Sequence, residues 1–215
     1  RQSHHVSASR ERKPAAVLMS DILVLYYSRN GATEALAREV CKGIDSVKGM
    51  AARLRTVPPV STVAEAVEDE VPESGPPYAQ HSDLSECAGL VLGSPAYFGN
   101  MSAPVKYFLD STVGGWLKGA LVGKPAGLFA SSSSLHGGQE SSLLSMALPL
   151  LHHGMLIVGV PYTEEALSAT TTGGTPYGAT HVTWNRKPDA LSDDEKQIAQ
   201  ALGKRVAGIA QRLED

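Results

Sequence analysis

The stretch Leu23-Val24-Leu25-Tyr26-Tyr27-Ser28-Arg29-Asn30-Gly31-Ala32-Thr33 decides the reading of the whole chain. Ile22 to Tyr27 is a short, nearly continuous apolar run, the pattern of a central parallel strand covered on both faces. The run breaks into a turn carrying a hydroxyl and a glycine, and from Thr33 onward Ala35, Leu36, Val40 and Ile44 fall at helical spacing. Thr33 is the expected N-cap, with Glu34 in the first turn. A helix N-terminus offers N–H groups without intrahelical partners and the positive end of the helix dipole, so the Ser28 and Thr33 hydroxyls would join backbone donors around an anion. This is the layout of a phosphate cradle, and equally of many strand-to-helix turns that bind nothing; both readings stand at this point. The stretch holds no Gly-x-Gly-x-x-Gly and no Gly-Lys-Ser/Thr, which argues against a Rossmann dinucleotide site and a P-loop. The candidate ligand is therefore a mononucleotide phosphate bound without a lysine.

Working outward, apolar runs at Ala88 to Gly93, Pro125 to Ala130 and Met155 to Val160 alternate with helical patterns, and a weaker strand, Ala51 to Val57, is ended by Pro58 and Pro59. Five strands separated by helices or long crossovers predict an α/β fold with a doubly wound parallel sheet and helices on both faces. A last helix, about Ser192 to Leu213, opens with the capping box Ser192-Asp193-Asp194-Glu195. Val60 to Ser82, acidic and proline-containing, reads as a solvated surface loop. Pro161 to Lys187 is too rich in turn residues for a helix and too apolar at Tyr162, Leu167 and Trp184 for a plain linker, so it is expected to cover a site or a subunit contact.

At 215 residues the chain fits one domain, taken as 21–215, and its net charge of -3 offers no footprint for nucleic acid. Cys41 and Cys87 lack metal spacing and read as buried small hydrophobes, and no run approaches the roughly 20 apolar residues of a membrane span. A soluble, cytoplasmic protein without membrane insertion is expected. Residues 1–20 are basic, serine-containing and poor in acids, with Met19 just before the first strand; they read as an extension upstream of the natural start or a disordered tail, with no metal site at His4 and His5.

In open α/β sheets ligands bind beyond the carboxyl ends of the strands, where strand order reverses. The informative loops are then the one at Ser28 to Thr33, Gly93-Ser94-Pro95-Ala96-Tyr97-Phe98-Gly99-Asn100-Met101-Ser102, and Ser131-Ser132-Ser133-Ser134-Leu135-His136-Gly137-Gly138-Gln139-Glu140. All are small and polar where a planar ligand would sit.

At these residues the chain resembles the tryptophan-repressor-binding-protein (WrbA) type of NAD(P)H:quinone oxidoreductase, a flavodoxin-like family. The likeness spans about Ile22 to Leu213 and rests on Leu25 to Ser28, Phe98 to Ser102, Gly137 to Glu140, His152 to Met155 and Gly173 to Ala179. It implies strand order 2-1-3-4-5 and FMN as cofactor. By the same likeness Ser28, Arg29, Asn30, Gly31, Ala32 and Thr33 hold the phosphate. Pro95, Ala96 and Tyr97, with Phe98 and Gly99, flank the isoalloxazine, and Ser132, Ser133, Ser134, Leu135, His136 and Gly137 line its pyrimidine edge and ribityl side. His152 reaches the flavin as the catalytic residue, and Trp116 forms an aromatic wall for the substrate from a neighbouring subunit of a homotetramer. The residues themselves also allow His152 as a helix cap beside Gly154, and Trp116 as a core tryptophan. Two departures stand out: Ala96-Tyr97 replaces the family's usual Thr-Arg, and Asn30, taken as substrate-binding, stands where some members carry an aromatic that meets the nicotinamide dinucleotide. The activity implied is two-electron, ping-pong reduction of quinones by NADH or NADPH. A flavodoxin-like electron carrier and a non-catalytic flavin-binding accessory are the alternatives.

Overall fold

The computed structural model describes residues 20–60, 75–184 and 186–214; most of the expected N-terminal extension and much of the acidic loop lie outside them. In chain order the elements are β1 (Ser20–Tyr26), α1 (Ala32–Asp45), β2 (Met50–Thr56), α2 (His81–Glu86), β3 (Gly89–Pro95), α3 (Ala103–Asp110), α4 (Val113–Leu117), β4 (Pro125–Ser132), α5 (Gln139–His152), β5 (Leu156–Ile157), α6 (Ala166–Ala169), β6 (Ala179–Val182) and α7 (Asp193–Glu214). The strands pair in parallel in the order β2-β1-β3-β4-β5, and β6 also pairs with β4. The expected strand order holds, with one strand more than the sequence predicts.

The apolar run of β1 is buried on both faces, and its alternate residues feed two cores. Ile22, Val24 and Tyr26 pack with Leu36, Val40 and Ile44 of α1 and with Ile198, Leu202 and Val206 of α7. Leu23 and Leu25 pack with Val105 and Phe108 of α3 and with Leu143, Met146 and Leu150 of α5. Burying each such side chain contributes about 1.5 to 3 kcal/mol. The helices α1 and α7 approach so closely that a Cβ on Gly203 would lie 2.2 Å from the Val40 carbonyl oxygen, and one on Gly43 would lie 2.0 Å from that of Gln200. Replacing either glycine would force the two helices apart.

The run Met155 to Val160, expected as a full strand, pairs only at Leu156–Ile157 with Pro125 and Ala126 of β4. The chain then leaves the sheet, because Gly159 passes under the Pro176 carbonyl, where a Cβ would lie 2.2 Å from its oxygen, and Val160 N–H donates to that oxygen. At Ala179–Val182 it returns along Phe129–Ser132 of β4. One sheet position is thus built from two short strands with a loop between them. The second was hidden because Ala-Thr-His-Val, embedded in a Thr- and Gly-rich segment, carries no apolar run. Among the described residues no helix is long and apolar enough to cross a membrane.

Candidate functional site

The turn after β1 differs in one respect from its expected form. Gly31, at φ +88°, is the N-cap of α1, and no side chain caps the helix. Thr33 lies inside the helix, buried, and its hydroxyl shares a 2.8 Å hydrogen bond with that of Ser131 at the end of β4. A left-handed N-cap suits glycine, and it frees Thr33 from local capping to reach across the sheet. Ser28 Oγ accepts the Gly31 N–H at 3.1 Å, which closes the turn.

The loop after β3 is anchored by Ser94, whose hydroxyl accepts the Ser102 N–H at 2.8 Å, and by the Ala96 N–H, which donates to the Ser131 carbonyl at 2.7 Å. Tyr97 and Asn100 exchange both backbone hydrogen bonds around Phe98 (φ +52°) and Gly99 (φ +72°), so the tip is a two-residue turn with both central residues left-handed. Phe98 is thrust wholly into solvent from a conformation that a phenylalanine rarely adopts. After β4, the Ser134 carbonyl accepts from Ser132 Oγ and Gln139 Nε2, folding the Ser131 to Gly137 loop onto the start of α5.

These turns meet in one cleft at the carboxyl ends of β1, β3, β4 and β6. It is a cavity of about 180 Å³ lined by Ser28, Arg29, Asn30, Ala32 and Thr33, by Pro95, Ala96 and Tyr97, by Ser131, Ser132 and Ser133, and by Thr183 and Pro188. The volume is below the roughly 300 Å³ of a small enclosed ligand pocket, so the cleft seats one end of a ligand and leaves the rest outside. Its lining carries hydroxyls, an amide and one guanidinium, and no carboxylate. That donor set suits a phosphate, and the uncapped first turn of α1 adds N–H groups and the helix dipole. Burial, with Tyr97 nearby and Arg29 partly offsetting, raises the Tyr27 pKa.

Of the other residues expected at the site, Gly31 shapes the turn, whereas Phe98, Leu135 and His136 are exposed around the cleft. Gly99 and Gly137 serve as turn residues; a Cβ on Gly137 would meet the Ser132 side chain and the Ser134 carbonyl at 2.9 Å. Ser134 spends its carbonyl inside its own loop. Ser131, Thr183 and Pro188 are additions. Ser131 stood at the edge of the expected set, and Thr183 lies in the segment expected to cover a site or a subunit contact.

His152 and Trp116 are elsewhere. Trp116 Nε1 donates to the His152 carbonyl at 2.8 Å, and both line a groove with Leu109, Thr112, Pro149 and His153. Trp116 sits on the short helix α4 and is 47% exposed, outside the core. The groove lies at the C-terminal end of α5, about 20 Å along the helix axis from the cleft. His152 occupies the last turn; Gly154 (φ +78°) and Met155 close the helix with N–H bonds to the carbonyls of Leu151 and Leu150. His153 makes the side-chain anchor, with Nε2 3.0 Å from Thr112 Oγ1, and burial lowers its pKa, helped by His152. The backbone therefore ends α5 without needing the His152 ring, which is exposed.

Both cysteines are free thiols, Cys87 buried and Cys41 half-buried. Burial pushes Cys41 up to about 12, with Asp45 adding to it, and raises Cys87 as well, so neither is an activated nucleophile.

Residues 21–165 match the model of the NADPH-dependent FMN reductase family. The chain is 38% identical over 202 residues to an NAD(P)H dehydrogenase (quinone) of Solidesulfovibrio magneticus, covering 90% of this chain and 98% of that protein. It is 42% identical over 207 residues to one of Chromohalobacter salexigens, covering 91% and 99%. Among solved structures it resembles a WrbA-like flavodoxin from Agrobacterium tumefaciens, with a TM-score of 0.64 at 23% identity over 90% of this chain and 98% of that one. It also resembles flavodoxin 1 of Bacillus cereus, with a TM-score of 0.57 at 14% identity over 88% and 98%. With a flavodoxin-like sheet, a carboxylate-free cradle at its switch point and a family match across most of its length, the chain belongs to the NADPH-dependent FMN reductase family.

Proposed function

We propose that the chain is an FMN-dependent NAD(P)H dehydrogenase (quinone). The observation that carries this is the cradle, in which hydroxyls, one arginine and an uncapped helix N-terminus converge without a carboxylate. Ser28, Thr33 and the first N–H groups of α1 hold the phosphate, and Arg29 and Asn30 border it. Pro95, Ala96 and Tyr97 on one side and Ser132 and Ser133 on the other border the remainder of the cofactor, where hydroxyl and N–H donors stabilise negative charge as it develops. Tyr97 contributes a phenol where the family's usual arginine would bring a charge, so neutral hydrogen bonds carry more of that role here. Bound FMN supplies hydride acceptance from NADH or NADPH and two-electron delivery to a quinone, in alternate half-reactions at one cleft.

The separation of His152 and Trp116 from the cradle of their own chain supports a site completed by another copy. The exposed leucines at 144, 148 and 151 follow helical spacing along α5, with exposed Leu156 and Ile157 on the neighbouring strand and exposed Val122 beside Gly154. Covering this apolar face in a homotetramer would bring the indole and imidazole of one chain to the cleft of another. His152 there donates a hydrogen bond to a flavin carbonyl or a quinone oxygen, and Trp116 walls the substrate.

The test is to purify the protein, identify the released flavin by mass spectrometry and follow NADH and NADPH oxidation with benzoquinone. FMN and quinone-dependent oxidation are expected. Recovery of mainly FAD would overturn the cofactor, and an FMN-loaded protein that oxidises neither nucleotide would overturn the dehydrogenase in favour of an electron carrier.

A further inference from the structure

Beneath the wall formed by Thr183 and Pro188 lies a polar cluster that the reaction does not use. His181, on β6, is fully buried, with Nδ1 3.0 Å from Glu195 Oε2 and Nε2 3.1 Å from the Pro188 carbonyl oxygen. Glu195, also fully buried, accepts from the N–H groups of Ser192 at 2.8 Å, Gly173 at 2.9 Å and Val182 at 3.2 Å. Burial opposes its ionisation, but the hydrogen bonds from His181, Ser192 and Gly173 prevail and hold the carboxyl at about 2. Both ring nitrogens of His181 thus face acceptors. Among the described residues Glu195 is the titratable group that touches His181; Arg186, Lys187 and Asp189, on the adjoining loop, are exposed, and Ser131, its partner on β4, does not titrate.

The pair stands where β6, the first turn of α7 and Pro188 meet. Pro188 has no N–H, so its carbonyl is its one backbone handle, and it borders both the cradle and the Asn30–Gly31 side of the turn. Thr183, two residues from His181, is bonded through its N–H to the Ser132 carbonyl at 2.9 Å.

Resting on the FMN reading above, we propose that His181 is a positioning residue: it latches the wall formed by Thr183 and Pro188 against the phosphate end of the cradle by holding Pro188 to the first turn of α7. Losing the Nε2 bond frees that wall and weakens phosphate binding, while the rest of the cofactor site is untouched.

The two nitrogens can be separated by substitution. In His181→Asn the amide nitrogen stands near the Nδ1 position and retains Glu195; in His181→Gln it stands near Nε2 and retains Pro188. Binding of FMN and of riboflavin to the flavin-free protein, read by flavin fluorescence, reports the phosphate contribution. His181→Asn is expected to weaken FMN about tenfold and riboflavin little, with His181→Gln restoring most of the loss. Hydrogen exchange without flavin should show faster exchange of the Thr183, Arg186, Lys187 and Asp189 amides in the Asn variant than in the parent or the Gln variant. Equal loss of melting temperature in both variants with an unchanged FMN-to-riboflavin ratio and unchanged exchange would overturn the latch. A parent protein that binds neither flavin would overturn the cofactor reading instead, and exchange alone then decides the latch.

Discussion

At its N-terminal end α5 leaves a loop of serines that forms one wall of the cradle, whereas fourteen residues later it ends among Trp116, His152 and His153. The first end is built from small hydroxyl side chains whose partners lie within the same chain, such as Thr33 on Ser131 and Ser132 on Ser134. The second presents an indole, an imidazole and a row of leucines outward. The contrast teaches that a phosphate site can be completed by local turns around one sheet, since each strand-to-helix junction delivers donors to the same edge. Trp116 and His152, at the opposite end of α5, lie too far away to reach that site within their own chain.

The sharpest break of this comparison is His152→Ala. If the ring donates to charge developing in a neighbouring cleft, turnover with benzoquinone should fall about ten- to a thousandfold with little change in melting temperature. Stopped-flow rates of flavin bleaching and recovery that stay within about twofold of the parent would reduce His152 to a helix-end residue.

Thr33→Val probes the other end. The substitution leaves Ser131 without its partner and removes a hydroxyl from the phosphate cradle, so FMN affinity should weaken by about 1 to 3 kcal/mol. Titration of flavin-free protein measures it; an unchanged Kd would confine Thr33 to bracing α1 against β4.

Leu148→Glu tests whether the outward face joins the two ends. Leu148 is 62% exposed, so the single chain should fold and bind FMN nearly as before. Light scattering should show smaller particles, and activity should fall about tenfold as cradle and imidazole part company. A fully active monomer would sever the comparison.

Gly31→Ala should have the smallest effect. No atom lies within 4 Å of a Cβ placed there, so the cost comes from the left-handed φ of +88°, about 1 kcal/mol of stability. Thermal unfolding checks the value, and FMN affinity should follow only as far as the turn shifts.

Several features of the molecule were legible residue by residue. The run Ile22 to Tyr27 announced a strand buried on both faces because its apolar residues do not alternate with polar ones, and the Ser192-Asp193-Asp194-Glu195 box marked the start of the last helix through chemistry contained within one turn. The turn at Ser28 to Thr33 was legible for the same reason, as strand, glycine and helix are neighbours in sequence. What tertiary structure alone decided depends on which distant groups meet. Thr33 caps nothing because Ser131, 98 residues away, offers its hydroxyl a partner. The strand at Ala179–Val182 exists because β4 leaves an unpaired edge beyond Ile157, and its four residues carry no periodicity of their own. Pro188 lines the cradle with its carbonyl 3.1 Å from Nε2 of a buried imidazole that also meets Glu195. His152 lies far from the cradle of its own chain because α5 runs back along the sheet for fourteen residues from the loop after β4.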